Sequence, residues 1–123
     1  MEERDLARLL AWSRIGIGAA GALMPSTLAR LWMGRHQASF PTNMITRGLA
    51  VRDIALGAGI LTALDGDGRV KPWLMASAAA DASDAAGTLG SWGELGRLRG
   101  LGLLVLEVGA AVVGLSLADS LDD

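Results

Sequence analysis

The chain has 123 residues, of which 51% are apolar, with 17 glycines, no cysteine, a mean hydropathy of +0.39 and a formal net charge of −2. This composition is typical of a single membrane domain, and a slightly acidic chain lacks the basic face with which proteins bind nucleic acid. The absence of cysteine excludes disulfides, thiolate metal sites and cysteine nucleophiles. We therefore expect no nucleic acid, no metal ion and no cofactor among its ligands.

Four apolar segments follow one another along the chain, each close to the ~20 residues that a helix needs to cross a bilayer. They comprise residues 6–24, 44–64, 72–92 and 98–118, and the connections between them contain proline, glycine and charged residues. The pattern predicts an all-α, antiparallel four-helix transmembrane bundle formed by one domain, residues 1–123. Both termini are expected on the same side of a bacterial inner membrane.

The first segment follows the stretch MEERDLAR, which is acidic as much as basic, and it contains Arg14. We therefore expect a retained helix rather than a cleaved signal peptide. In the next connection, Ser26 and Thr27 follow a proline and predict a short helix, residues 28–33, that lies on the membrane surface. The one histidine, His36, lies in the remainder of this loop with no second metal ligand nearby.

Tryptophan positions add to the membrane interpretation. The four tryptophans, Trp12, Trp32, Trp73 and Trp92, lie toward segment ends. Such placement is typical of an aromatic belt at the boundary between membrane and water.

The second and third segments carry charges among apolar residues. The second contains Arg47, Arg52 and Asp53 within RGLAVRDIALGAG. The third contains polar residues at steps of four, three, four and three: Ser77, Asp81, Asp84, Thr88 and Ser91. Residues at these steps share one face of a helix, and a water-facing stripe would instead carry long charged side chains paired at i,i+4. The stripe is therefore predicted to face the inside of the bundle.

Six charged residues lie near the centres of the four segments: Arg14, Arg52, Asp53, Asp81, Asp84 and Glu107. Because the centre of each span lies at the bilayer midplane whichever way the helix runs, we expect the six to meet at one depth. An isolated charge there costs about 2.5–3.5 kcal/mol, which favours mutual pairing. Arg47 lies nearer the start of the second segment than Arg52, and it could reach this cluster or extend to the headgroups.

Charge counting leaves one carboxylate in excess. With Arg47 included, three arginines face the four carboxylates of Asp53, Asp81, Asp84 and Glu107. In a medium of low dielectric constant, the surplus carboxylate is expected to bind a proton or to face a cationic ligand.

Two classes of function fit this pattern. The first is a membrane enzyme that performs acid–base chemistry, such as isomerisation, cyclisation or epoxide opening, on an apolar lipid-like or isoprenoid-like substrate. Asp81 or Asp84 would be the general acid or base, and Arg52 would stabilise developing negative charge. The ligand-binding residues would be Arg14, Arg47, Asp53 and Glu107.

The second class is a non-catalytic membrane subunit or a small proton-coupled transporter, in which the same cluster is structural or carries a proton. Under either interpretation the expected partners are the lipid bilayer and, for the first class, an apolar small molecule. Association with further copies of the chain stays open.

Three motifs resemble those of an uncharacterised family of small four-span integral membrane proteins from actinobacteria and fungi. They are the arginine of the first segment, RGLAVRD followed by LG in the second, and the D-x-x-D pair in the third. The resemblance covers residues 14–90. It implies a four-span fold and a charged cluster of this type, and no particular activity.

Overall fold

The computed structural model describes residues 2–33, 40–66 and 68–121. The helices in these ranges are α1 (Glu3–Leu23), α2 (Pro25–Met33), α3 (Phe40–Asp65), α4 (Val70–Gly90), α5 (Trp92–Leu95) and α6 (Arg97–Ser120). No strand occurs within the same ranges, so the predicted all-α class is confirmed. The predicted loop residue His36 lies outside the described residues.

The four long helices coincide with the four apolar segments, and two shorter elements depart from the prediction. Helix α2 begins at Pro25 rather than at residue 28, because proline is well tolerated in the first turn, where its missing N–H would have no partner. The single turn α5 lies at the end of the third segment and in the connection that follows it. Gly96 ends this turn with a φ of 83°, a conformation that glycine adopts without steric cost.

Close packing joins the helices in two antiparallel pairs, α1 with α3 and α4 with α6, and the pairs meet over a smaller area. Glycines allow the first pair to approach. A Cβ atom on Gly18 would lie 2.6 Å from the carbonyl oxygen of Ala50, and one on Gly57 would lie 2.6 Å from that of Ala11. These small residues therefore set the distance between the two backbones.

The apolar core lies at one end of the bundle. It is formed by the buried residues Ala7, Ala11, Ile60, Ala63, Leu64, Val70, Leu74, Leu117 and Ala118. These residues come from the first half of α1, the end of α3, the start of α4 and the end of α6. Successive long helices therefore run antiparallel, and the first turn of α1 lies at the same end as the last turn of α6.

Large apolar side chains also cover the outside of the bundle. Helix α6 exposes Leu98, Leu101, Val105, Leu106, Val108, Val112, Val113 and Leu115, and the other long helices expose leucine, isoleucine, methionine and valine in the same way. By length and composition, α6 is the one helix within the described ranges that is long and apolar enough to cross a membrane.

The tryptophans only partly follow the predicted belt. Trp73 lies near the start of α4, and Trp92 lies just beyond its other end, so these two are at opposite ends of the helix. Trp12 instead lies in the middle of α1 with 60% of its surface exposed. The side chain of Trp32 lies outside the described residues.

Candidate functional site

A buried arginine joins three helices near the middle of the bundle. Arg14, on α1, is 6% exposed. Its Nη1 lies 2.8 Å from Asp53 Oδ1 on α3, and its Nη2 forms an ion pair with Asp81 Oδ2 on α4. The same guanidinium donates from Nε to Ser77 Oγ at 2.6 Å and from Nη2 to the Ser77 carbonyl at 3.0 Å. The Arg14 group is therefore a compact network of paired charges.

A second arginine, Arg52, also forms ion pairs with carboxylates and lies beside the first. Arg52 donates from Nη1 and Nη2 to the two carboxylate oxygens of Asp84, at 3.1 and 2.8 Å. Its Nη2 also lies 3.3 Å from Asp53 Oδ1, so one oxygen of Asp53 links both arginines. Arg52 therefore faces the polar stripe of α4, and Asp53 contacts both arginines.

Glu107, on α6, differs from the aspartates because no arginine of the described residues pairs with it. Its residue surface is 7% exposed, and Oε1 accepts a hydrogen bond of 2.6 Å from Thr88 Oγ1. Within the described part of the chain, no lysine or arginine forms an ion pair with it. Thr88 lies about two turns along α4 from Asp81, so Glu107 is displaced along the bundle from the Arg14 group. The predicted pairing of the central charges therefore includes Arg14, Arg52, Asp53, Asp81 and Asp84, but not Glu107.

Arg47 is also separate from the cluster. Its side chain is exposed and donates from Nε to the carbonyl oxygen of Ala22, at 3.3 Å, near the end of α1. The carbonyl groups in the last turn of a helix have no helical partner and carry partial negative charge, which attracts an arginine. Of the two positions open to it from sequence, Arg47 takes the one away from the cluster.

The polar stripe of α4 faces inward as predicted over most of its length. Ser77, Asp81 and Thr88 are buried and Asp84 is half-buried, whereas Ser91, just past the helix end, is exposed. Ser77 and Thr88 were not singled out as site residues from sequence, although they hold Arg14 and Glu107. The sequence feature that could have identified them is their position on the same helical stripe as Asp81 and Asp84.

A cavity of about 540 Å³ lies beside this polar layer. It is bounded by α3, α4 and α6, by Ile17 of α1, and by α2. Its apolar walls are Ile17, Leu28, Ala29, Ile45, Leu49, Ala50, Leu95 and Leu103, and its polar lining is Arg52, Thr46, Asp53, Ser83, Asp84, Thr88, Ser91, Glu94 and Glu107. None of the residues of the apolar core lines it.

The cavity divides the predicted site residues into two sets. Arg52, Asp53, Asp84 and Glu107 line it. Arg14 and Asp81 do not, and neither does Arg47, which borders a smaller depression at the turn between α1 and α2. The ionic surfaces that the cavity exposes are thus those of Arg52, Asp53, Asp84 and Glu107, and Asp53 connects Arg52 to the Arg14 group behind it.

One carboxylate that lines the cavity was not predicted from the sequence. Glu94 lies in the short α5 turn, is exposed, and borders the cavity. A lone acidic residue in a predicted loop is most often simply solvated, so its sequence carried no signal for a site.

No protein-family model, curated protein or solved structure matches this chain. Inference about function therefore rests on the cavity and on the groups that line it.

Proposed function

We propose that this is an integral membrane protein whose four long helices span the bilayer and whose cavity binds an apolar, lipid-like molecule by its polar end. The observation that carries the proposal is the composition of the cavity. Its apolar walls converge on a layer of ionic side chains within the bundle. A site of this kind suits a molecule with an apolar body and one polar group.

The outer surface supports the membrane location. Water-soluble monomers rarely expose continuous apolar patches, yet each long helix here presents several large apolar side chains outward. The long helices have 21, 26, 21 and 24 residues, enough for a hydrocarbon layer of about 30 Å at ~1.5 Å per residue. Charges inside the bundle are paired across helices, which lowers the cost of placing them at this depth.

The dimensions of the cavity suit a lipid-like ligand. Its volume of about 540 Å³ lies within the ~300–1,000 Å³ of typical small-molecule sites. Ile17, Leu49 and Leu103 would contact the apolar body of the ligand. The polar end would lie against the ionic part of the lining, which includes Glu107 and Asp84.

Acid–base chemistry is the activity for which these lining groups are suited. Glu107 and Asp84 would exchange protons with the ligand, and Arg52 would stabilise negative charge that develops on it. Isomerisation, cyclisation or epoxide opening are reactions of this class. Asp81, packed against Arg14 away from the cavity, would hold the site in shape rather than touch the ligand.

A cavity-filling variant tests the proposal. A Cβ atom on Gly87, which lines the cavity, or on Gly90, which does not, would meet nothing within 4 Å. Gly87→Leu should therefore fill the cavity without disturbing the helix, and Gly90→Leu is the matched control. Protein purified from membranes is extracted with organic solvent, and the bound molecules are identified by mass spectrometry.

We expect a lipid-like molecule at stoichiometric amounts in the parent protein and in Gly90→Leu, and its loss from Gly87→Leu. Equal amounts in all three proteins, or no such molecule in the parent, would contradict ligand binding in this cavity.

A further inference from the structure

The charges around the cavity do not balance, and the imbalance restricts the ligand. Arg14 and Arg52 are the cations of the polar layer, whereas its carboxylates are Asp53, Asp81, Asp84 and Glu107. The two arginines satisfy the three aspartates through shared contacts. With Arg47 turned away, Glu107 is left over, and Glu94 adds a further carboxylate at the cavity.

Glu107 combines burial, access to the cavity and the lack of a cation. It is 7% exposed, lines the cavity, and receives one neutral hydrogen bond from Thr88. The carboxylates of Asp84 and Asp81 lie close enough to repel its negative charge. A buried carboxylate in such surroundings is stabilised by a positive partner, and the cavity is the space from which that partner can come.

The geometry points to a protonated amine as the polar end of the ligand, with Glu107 as its counter-ion and the apolar walls around its hydrocarbon body. This inference rests on the proposed binding function and goes further by naming the charge and the hydrogen-bonding capacity of the ligand.

Two features favour an amine over other cations. Within the described residues, no group of three or more histidine, cysteine, aspartate or glutamate side chains could hold a metal ion. No aromatic side chain of those residues lines the cavity, whereas sites for quaternary ammonium groups use aromatic faces. An ammonium group with N–H bonds can instead donate to the carboxylate of Glu107 and to the hydroxyl oxygen of Thr88.

Four probes with the same octyl chain test this inference: n-octylamine, n-octanol, sodium nonanoate and octyltrimethylammonium. Binding to the purified full-length protein is measured at neutral pH by isothermal titration calorimetry in a non-ionic detergent, with protein-free micelles as the blank. We expect n-octylamine to bind at least about tenfold more tightly than each of the others, since it alone supplies both charge and N–H donors.

Variants locate the binding partner. Glu107→Gln keeps the shape of the side chain and an acceptor for Thr88, and it should reduce the affinity for n-octylamine at least about tenfold while leaving that for n-octanol unchanged. Glu94→Gln removes the other unpaired carboxylate of the lining and should have little effect. If Glu107→Gln does not fold, the order of the four probes on the parent protein still decides the question.

The outcomes separate the two proposals. If n-octanol or octyltrimethylammonium binds the parent as tightly as n-octylamine, the amine assignment is overturned, and the binding function stands provided that Gly87→Leu abolishes this binding. If no probe binds saturably, or if Gly87→Leu binds them as the parent does, the cavity is not a ligand site and both proposals fail.

Discussion

At the scale of single residues, Arg14 and Arg52 share one oxygen of Asp53 but differ in how far they are exposed to water. Arg14 and its partners have side chains that are 7–16% exposed, whereas those of Arg52 and Asp84 are 29% and 23% exposed. Charges that are more fully removed from water depend more strongly on their partners. The first group is therefore the structural part of the polar layer, and the second faces the cavity.

This division predicts different consequences for the two arginines. Arg14→Met strands the buried carboxylate of Asp81 and should lower the free energy of unfolding by about 3–5 kcal/mol. Arg52→Met should lower it less, because Asp84 remains partly hydrated. Thermal unfolding in detergent measures both effects.

Double variants provide the control. Asp81→Leu should restore much of the stability lost in Arg14→Met, and Asp84→Leu should do the same for Arg52→Met, because each combination removes a pair rather than one partner. Exchanged combinations, such as Arg14→Met with Asp84→Leu, should give no recovery. Equal recovery with either aspartate would contradict the pairing described here.

At the scale of helices, glycine determines which faces come together. Gly18 and Gly57 bring α1 and α3 into backbone contact, and Gly114 faces Leu74 and Ala78 in the pair of α4 with α6. The two pairs approach each other less closely, and the cavity lies where α3 faces α4 and α6. Small residues thus give tight pairs, and the space between the pairs provides the site.

Two glycines of α3 test this account. A Cβ atom on Gly57 would lie 2.6 Å from the carbonyl oxygen of Ala11 and 2.7 Å from Ile15 Cγ1, whereas one on Gly48 would meet nothing within 4 Å. Gly57→Ala should therefore push α1 away and cost about 1–3 kcal/mol. Gly48→Ala should stabilise the helix by up to about 1 kcal/mol, because alanine is the better helix former.

The melting temperatures of the two variants in the same detergent give the measurement. Similar shifts for both would mean that contact through Gly57 does not hold α1 and α3 together.

At the scale of the whole molecule, charged side chains lie at the two ends of the bundle and inside its middle. The ends of the helices carry exposed charges, such as the pair between Arg8 and Asp65 with 2.5 Å between Nη1 and Oδ1. The middle carries the paired charges of the interior, and the outer surface between these levels is apolar. This distribution is the one expected of a protein whose helices cross a bilayer.

Cysteine labelling tests the arrangement on a chain that contains no native cysteine. Ala82 and Leu89 of α4 are exposed on the bundle surface, and so is Gly93 in the α5 turn. In intact membranes, Ala82→Cys should resist a water-soluble maleimide because lipid covers it, and Gly93→Cys should react. If the protein were water-soluble, Ala82→Cys and Gly93→Cys would both react with the maleimide.

Rapid labelling of Ala82→Cys or Leu89→Cys in membranes would contradict the four-span arrangement. Ser77→Cys, at a fully buried position, serves as the unreactive reference in the same membranes.

The sequence alone was sufficient to predict the four long helices and the inward face of α4. Four apolar segments predicted the four long helices, and the spacing from Ser77 to Thr88 predicted the buried side of α4. Both features depend on residues that are neighbours along the chain, where the 3.6-residue period of the helix relates sequence to direction.

Tertiary structure alone decided the partners of the charges and the presence of a cavity. Whether Arg52 meets Asp81 or Asp84, whether Arg47 joins them, and which residue faces Glu107 all depend on how far one helix is displaced along another. A shift of one turn, about 5.4 Å, replaces every cross-helix neighbour, and no local periodicity encodes it. The contacts of Gly18, Gly57 and Gly114 fix how closely the helices of each pair approach, and the cavity lies where the two pairs separate.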